Sequence, residues 1–381
     1  MKKAPSILLV LLAGLFAVGG SGVSARTVSV TEYNAIPNDG LSDHQAFANA
    51  FNTVVAAGGG KVLVPPGDYQ FDSRITIDLL STRVEWLGEG TGVSRLVCVN
   101  PRGVVWFANS NNDNELVIKD LSFMAGFPDP GTNLVGYGTA IQINNPSLCT
   151  NEAVCSLHME NVVLMPPDWS FHAYFNRTIY TSFLQHPEFI NVLATGPYGP
   201  AAPIVPSESG FRINFGDSPS FADCYAKNKT TGYLLNNIQG TVIFDRCNAV
   251  GIDQGFVINA IGAENCSVEN SNIHVNARIS GVEVNNADSV LIRYGAPYWT
   301  PAEVAYTDLI INNCTGVEIA GNVFHVHYTD PPRTQIHLKG TTSGVVIRHN
   351  IFNAPGTRVE QDAGVSNVVI TENIDNPTHV W

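Results

Sequence analysis

The chain has 381 residues and a formal net charge of −13, with 14% of its residues charged against roughly 25% in an ordinary globular domain. So acidic a chain argues against nucleic acid as a partner. No apolar run reaches the ~20 residues a helix needs to cross a bilayer, so no membrane span is expected.

Taken in chain order, the first element is a leader. Residues 1–25 open with Lys2 and Lys3, run apolar from Ile7 to Val18 and end in Val23-Ser24-Ala25. That is the pattern of a secretory signal peptide cleaved near Ala25, which makes the mature chain secreted or periplasmic, a single domain over 26–381. Losing the two leader lysines takes the charge from −13 to −15. Next, "SDHQAFANAFNTVVAAGGG" places Ser42 and Gln45 at capping-box spacing. Phe47, Phe51 and Val54 fall on one helical face, and Gly58 to Gly60 supply a stop. The spacing predicts a helix that covers one end of the fold.

Seven cysteines in an exported chain leave at least one unpaired. Cys149 and Cys155 are spaced to close a small loop, whereas Cys224 and Cys247 are open to two readings, a disulfide or two reduced thiols in a core.

From Gly210 onward one phrase recurs: "GFRINF", "GYLLNN", "GFVINA", "GVEVNN", then the looser "DLIINN", "QIHLKG" and "RVEQDA". Successive copies stand 22, 23, 26, 27, 27 and 23 residues apart, and a second short strand follows each. A period in the low twenties built of short strands, with no amphipathic helix between them, predicts an all-β solenoid of parallel coils. In "SGVVIRHNIFNAPG" the inward alternation through Val345 and Ile347 meets Asn350. Coil stacking aligns it with Asn322 and Asn373, predicting an interior amide ladder at a tight turn. Leu121, Val162, Cys224 and Cys247 occupy the same register in earlier coils.

The stretch "YNAIPNDGLSDHQAFANAFNTVVAAGGGKVLVPPGDYQF", from Tyr33 to Phe71, resembles the N-terminal signature of the pectate-lyase-like superfamily. That resemblance implies a right-handed parallel β-helix with an N-terminal capping helix, and an extracellular enzyme acting on polysaccharide. The Asn-Thr-Asp, Asp-Asp, Gly-His-Gly and Arg-Ile-Lys elements of polygalacturonases are missing from this sequence, as is the Asp-Pro-His-Asp element of uronan epimerases. No catalytic residue transfers from the family.

Candidate site residues therefore come from the coil alignment. The edge before each "GFxIN" strand reads Glu208, Lys229, Asp253, Arg278, Tyr306 and Arg333. Glu208 and Asp253, two coils or ~9.6 Å apart, suit the acid and base of an inverting hydrolase. Lys229, Tyr306, Arg278 and Arg333 are expected to hold substrate, and a bidentate Arg suits the uronate carboxylate whose neutralisation β-elimination requires. Arg293 and Arg348 extend the positive stripe. In "FHVHYTDPPR", His325 and His327 share one side of a strand with Tyr328 beside them, a base and acid for a lyase, or a metal pair with Asp330. Trp169 and Trp299, on loops leaving the coils at one register, are expected to stack on sugar rings. The competing reading of the charged groups and histidines is a solvated surface residue, and that of the tryptophans is core packing. The substrate expected is an acidic, pectin-like polysaccharide cleaved by β-elimination or hydrolysis, with calcium the ion to consider for a lyase. A glycan-binding or structural β-helix without catalysis is the alternative.

Overall fold

The computed structural model describes residues 25–126, 135–148, 155–166, 173–197, 207–261, 266–271, 273–298, 307–324, 333–353 and 356–375. Residues 1–24 of the expected leader and Cys149 lie outside them, while Cys155 is disulfide-bonded.

Short β-branched and aromatic strands, each too small to bury its own apolar side, stack as the sequence period requires. The result is a right-handed parallel β-helix in which every strand pairing among the described residues is parallel. Each coil lays down three faces. Face A runs through Arg83–Leu87, Ser289–Arg293, Thr315–Ala320 and Ser343–Arg348. Face B includes Gly67–Phe71, Ser94–Cys98 and Tyr225–Lys227. Face C includes Val105–Ala108, Val135–Asn144, Ala173–Ser182, Ser209–Asn214 and Thr231–Ile238.

Inward positions repeat from coil to coil and form continuous columns. Phe211, Tyr233 and Phe256 stack with ring centroids 4.7 and 4.5 Å apart, close to the ~4.8 Å strand spacing. Phe189, Phe221 and Phe244 form a second stack beside them at 4.8 and 4.7 Å. Period-2 alternation puts these rings inside.

The corner from face A to face B is made by one left-handed residue, such as Asp120, Asn161, Asn191, Asp223, Tyr294 or His349, each with φ between 52° and 56°. That single kink leaves carbonyls of the turn short of partners, and where the next, inward residue is Asn or Cys its side chain donates to them. Asn350 Nδ2 donates to Ile319 O at 2.9 Å, Arg348 O at 3.0 Å and Asn373 Oδ1 at 3.0 Å, while its Oδ1 accepts from Asn322 Nδ2 at 3.0 Å. The expected column Asn322, Asn350, Asn373 thus exists. Cys224 and Cys247, both reduced and buried, fill the same place with the same geometry. Cys224 Sγ donates to Ala222 O at 3.4 Å and Phe189 O at 3.3 Å, and Cys247 Sγ to Asp245 O and Phe221 O at 3.4 and 3.5 Å. A thiol replaces an amide wherever one weak donor suffices.

The N-terminal end is closed by helix α1 (His44–Ala56), with Phe47, Phe51 and Val54 fully buried and Phe47 and Phe51 edge-on to Trp86. Its start corrects the capping-box expectation. Asp43 is the N-cap and makes no side-chain cap bond. Its carboxylate instead accepts from the Ile36 and Gln70 N–H groups, both at 2.9 Å, while Ser42 turns to His44 and Asp72. Joining three chain segments outweighs one helix end. The glycine stop holds, and at Gly60 (φ 141°) an added Cβ would come within 1.9 Å of Arg26 O. At the other end, Gln361 and Asp375 take the interior registers held below by Leu338 and Phe352, and Ile370 and Ile374 are 48% and 57% exposed.

Candidate functional site

The described strands show where insertions leave the solenoid. Face-B strands end at Ala125, Met165, Thr195 and Tyr298, and the next face-C strands begin at Val135, Ala173, Ser209 and Thr307. The long connections therefore all join face B to face C.

Outward positions of that face bear a continuous run of aromatic and polar groups. Register pairing stacks Trp106 on Gln142, Gln142 on Tyr180 and Tyr180 on Arg212, four coils spanning ~14 Å. Hydrogen bonds tie the run together. Trp106 Nε1 and Gln142 Nε2 donate to Asn144 Oδ1 at 2.9 and 2.7 Å, Asn144 Nδ2 donates to Ser182 Oγ at 2.8 Å, and Asn214 Nδ2 donates to Tyr180 Oη at 3.1 Å. Arg74 lies over the Trp106 ring at 4.9 Å, and Arg177 and Arg212 flank the Tyr180 ring at 5.6 and 5.7 Å. Half-buried arginines over aromatic faces keep their charge while their planes are fixed. Further up, Asn214, Asn236, Asn259, Asn285 and Asn312, the last letter of each "GFxIN" phrase, form a second amide ladder with Nδ2–Oδ1 distances of 3.2, 2.7, 2.8 and 3.0 Å.

Glu208 belongs to this strip. Arg177 grips it with two bonds, Nη2–Oε1 at 2.9 Å and Nε–Oε2, and Arg212 Nη1 reaches Oε2 at 3.3 Å. The Arg177 bond, opposed by partial burial and aided by both positive charges, holds the Glu208 carboxyl below the ordinary glutamate range. It is a poor proton donor near neutral pH. Asp253 is half-buried and shares its register two coils higher, through Ser209, Thr231 and Gln254, so the pair lies along one edge as expected.

Lys229 corrects the expected line-up. It precedes that register by one residue, so alternation turns it inward. It is 3% exposed, and its Nζ donates to Phe175 O at 2.6 Å, at the head of a strand beyond the last register pair Arg177–Ser209. Burial pushes its pKa down to about 7. Arg278 lies at an irregularity of the ladder: Val250 pairs with Asn276, Ile252 with Ala277 and Gln254 with Ser280, so Arg278 and Ile279 stand together opposite Asp253. Arg333 heads the strand Arg333–Lys339, five coils or ~24 Å from Ser209. Arg293 and Arg348 lie at the end of face A, where both bind Glu318, and do not continue the face-C stripe. Trp169, Trp299, Tyr306, His325, His327, Tyr328 and Asp330 lie outside the described residues. Among the described residues, no three His, Cys, Asp or Glu side chains gather as metal ligands.

No family model matches the chain, and no curated protein is similar to it in sequence. Solved structures share its fold. Pre-mature bacteriophage phi29 gene product 12 is 14% identical, with a TM-score of 0.51 over 91% of this chain and 52% of that one. The A-module of a mannuronan C-5 epimerase from Azotobacter vinelandii is 16% identical, at 0.52 over 92% of this chain and all of the module. DFA-IIIase from Arthrobacter chlorophenolicus A6, in complex with GF2, is 13% identical, at 0.56 over 90% of this chain and 93% of that one. The chain spans about half the length of the phage protein. At these identities the likeness is one of fold alone.

Proposed function

We propose that this protein acts on an acidic polysaccharide laid along face C, parallel to the solenoid axis. The observation that carries the reading is the convergence of Arg74, Arg177 and Arg212 on the Trp106 and Tyr180 rings in one hydrogen-bonded strip. Three guanidinium groups against one carboxylate, Glu208, leave the strip positive on an acidic protein, and the rings offer flat faces to sugars. A neighbour in fold is named for a uronan, mannuronan.

Of the two cleavage chemistries, β-elimination is the one we favour. Hydrolysis by Glu208 and Asp253 needs one carboxyl protonated at working pH, and Arg177 holds Glu208 ionised. Elimination needs a uronate carboxylate neutralised, which the arginines supply, and a base to take the α-proton. We assign that base to His325 or His327, with Tyr328 the acid that protonates the leaving glycosidic oxygen, on the segment that leads into Arg333. Trp169, Trp299 and Tyr306 remain the proposed sugar contacts on the connections that join face B to face C. The reading takes residues 1–25 as a signal peptide and the mature protein as secreted or periplasmic. Binding without cleavage is a second reading, favoured by Glu208 being fully engaged in ion pairs.

Incubation with a panel of polyuronates tests it. Rising ultraviolet absorbance from unsaturated ends supports elimination, new reducing ends without absorbance support hydrolysis, and retention without either supports an adhesive role. Failure of every polyuronate to bind, or binding undiminished by Arg212→Ala with Tyr180→Ala, sinks the face-C proposal.

A further inference from the structure

The corner between faces A and B, which face C does not share, carries a group of side chains unrelated to the strip above. Its left-handed column runs Asp120, Asn161, Asn191, Asp223, Arg246, then Tyr294, Gly321, His349 and Glu372. Tyr294, with φ 54°, is the aromatic residue among them. A bulky side chain is costly in this conformation, where Asn and Gly are comfortable. Such strain persists where something other than the backbone selects the residue.

Tyr294 is nonetheless 65% exposed. A Cβ added to Gly321, one coil above, would come within 2.9 Å of ring atoms Cδ1 and Cε1. The ring therefore lies across the bare Gly321 backbone, held flat on the corner. Beside it, Glu318 Oε2 accepts from Arg293 Nη2 at 2.5 Å, and Oε1 from Arg348 Nη2 and Nε at 2.7 and 3.1 Å. Two cations share the one carboxylate of Glu318, and Glu372, paired with His349, also acts on Arg348, so the guanidinium N–H groups rather than a net charge are what the corner offers. Exposed ion pairs of this kind add little stability. His349 sits above, bound to Glu372 at 2.5 Å. Arg293, Tyr294, Glu318, Gly321, Arg348 and His349 border an open cavity of about 230 Å³, below the roughly 300–1,000 Å³ of sites that enclose drug-sized ligands. It has room for one sugar ring and not for several.

We propose that this corner is a second carbohydrate site, separate from face C, that takes a single carboxylated sugar residue with its ring on Tyr294 and its carboxylate at Arg293 and Arg348. Glu318 fixes the two guanidinium planes and leaves their outer N–H groups for the ligand. The proposal does not rest on the reading of face C, because the residues are different and the geometry is complete without it.

The test is calorimetric titration of the full chain carrying Arg212→Ala with Tyr180→Ala, the pair that disables face C, with a uronate trisaccharide, a neutral trisaccharide and inorganic phosphate. Uronate binding should remain, the neutral sugar should not bind, and Tyr294→Asn should weaken uronate binding roughly tenfold, the loss of one aromatic contact. Arg348→Gln should weaken it also, and Tyr294→Phe should not. Asn suits the left-handed position, so Tyr294→Asn should unfold at the same denaturant concentration or a higher one. The inference is overturned if no uronate binds in the doubly substituted chain, if Tyr294→Asn leaves affinity unchanged, or if phosphate binds as tightly and independently of Tyr294. Because the doubly substituted chain is compared with the unaltered chain, a failure of face C and a failure of this corner give different results.

Discussion

Lys229→Met should stabilise the protein and remove a pH dependence that the native chain carries. An unfolded lysine titrates near 10.4, and burial lowers Lys229 to about 7. Between those values the unfolded state binds the extra proton, so stability rises with pH across that window and is lost as pH falls through 7. At ~1.36 kcal/mol per unit the full swing has an upper bound of ~5 kcal/mol. Methionine keeps the apolar stem and abolishes the cost, but strips Phe175 O of its partner at 2.6 Å, a loss of ~1–3 kcal/mol. The net gain at pH 7 is then ~2 kcal/mol, shrinking by ~1.36 kcal/mol per unit as pH rises toward the unfolded pKa and changing sign near pH 9. Urea unfolding of both proteins from pH 6 to 10 measures it. A difference that stays constant over that range, or a variant less stable at every pH, would refute a buried and unpaired Lys229.

Three further outcomes follow from the geometry. Asn350→Leu orphans the turn carbonyls and the Asn322 N–H, and should lower stability by ~2–4 kcal/mol, whereas Asn350→Cys should be milder because Cys224 and Cys247 already serve that turn; urea midpoints compare them. Glu208→Gln frees Arg177 and Arg212, so polyuronate affinity at pH 7 should rise, measured by titration, and a fall would mean Glu208 itself contacts the sugar. Phe47→Ala removes a fully buried ring from beneath the cap and should cost ~3–5 kcal/mol, read from the thermal unfolding midpoint alongside light scattering for end-to-end association.

The coil period, the amide column and the helical cap were legible because each depends on local alternation that repeats. Ser42 was misread because the capping box is a local signal, while Asp43 answers to Ile36 and Gln70, which no spacing reveals. Lys229 and Arg278 stand four residues before Tyr233 and Val282, where Glu208 and Asp253 stand three before Phe211 and Phe256, so counting back from the phrase places Lys229 on the inward parity. The face-C strip went unnoticed for another reason. Trp106, Gln142 and Tyr180 sit in "VWFA", "IQIN" and "IYTS", coils that lack the full repeat phrase, though "IQIN" and the "FRIN" of Arg212 share the pattern that sets Gln142 under Tyr180 and Arg212.

The ladder of Asn322, Asn350 and Asn373 has a mechanical consequence. Every rung is bonded to its neighbours along the axis, and the topmost has a neighbour only beneath it. Tension applied at the C-terminus would load one rung at a time, so the molecule should unspool in discrete laps of 23 and then 28 residues. A pull spread evenly over the N-terminal cap would meet α1 and its aromatic bed together. Such a rod is easiest to peel from one end and resists from the other.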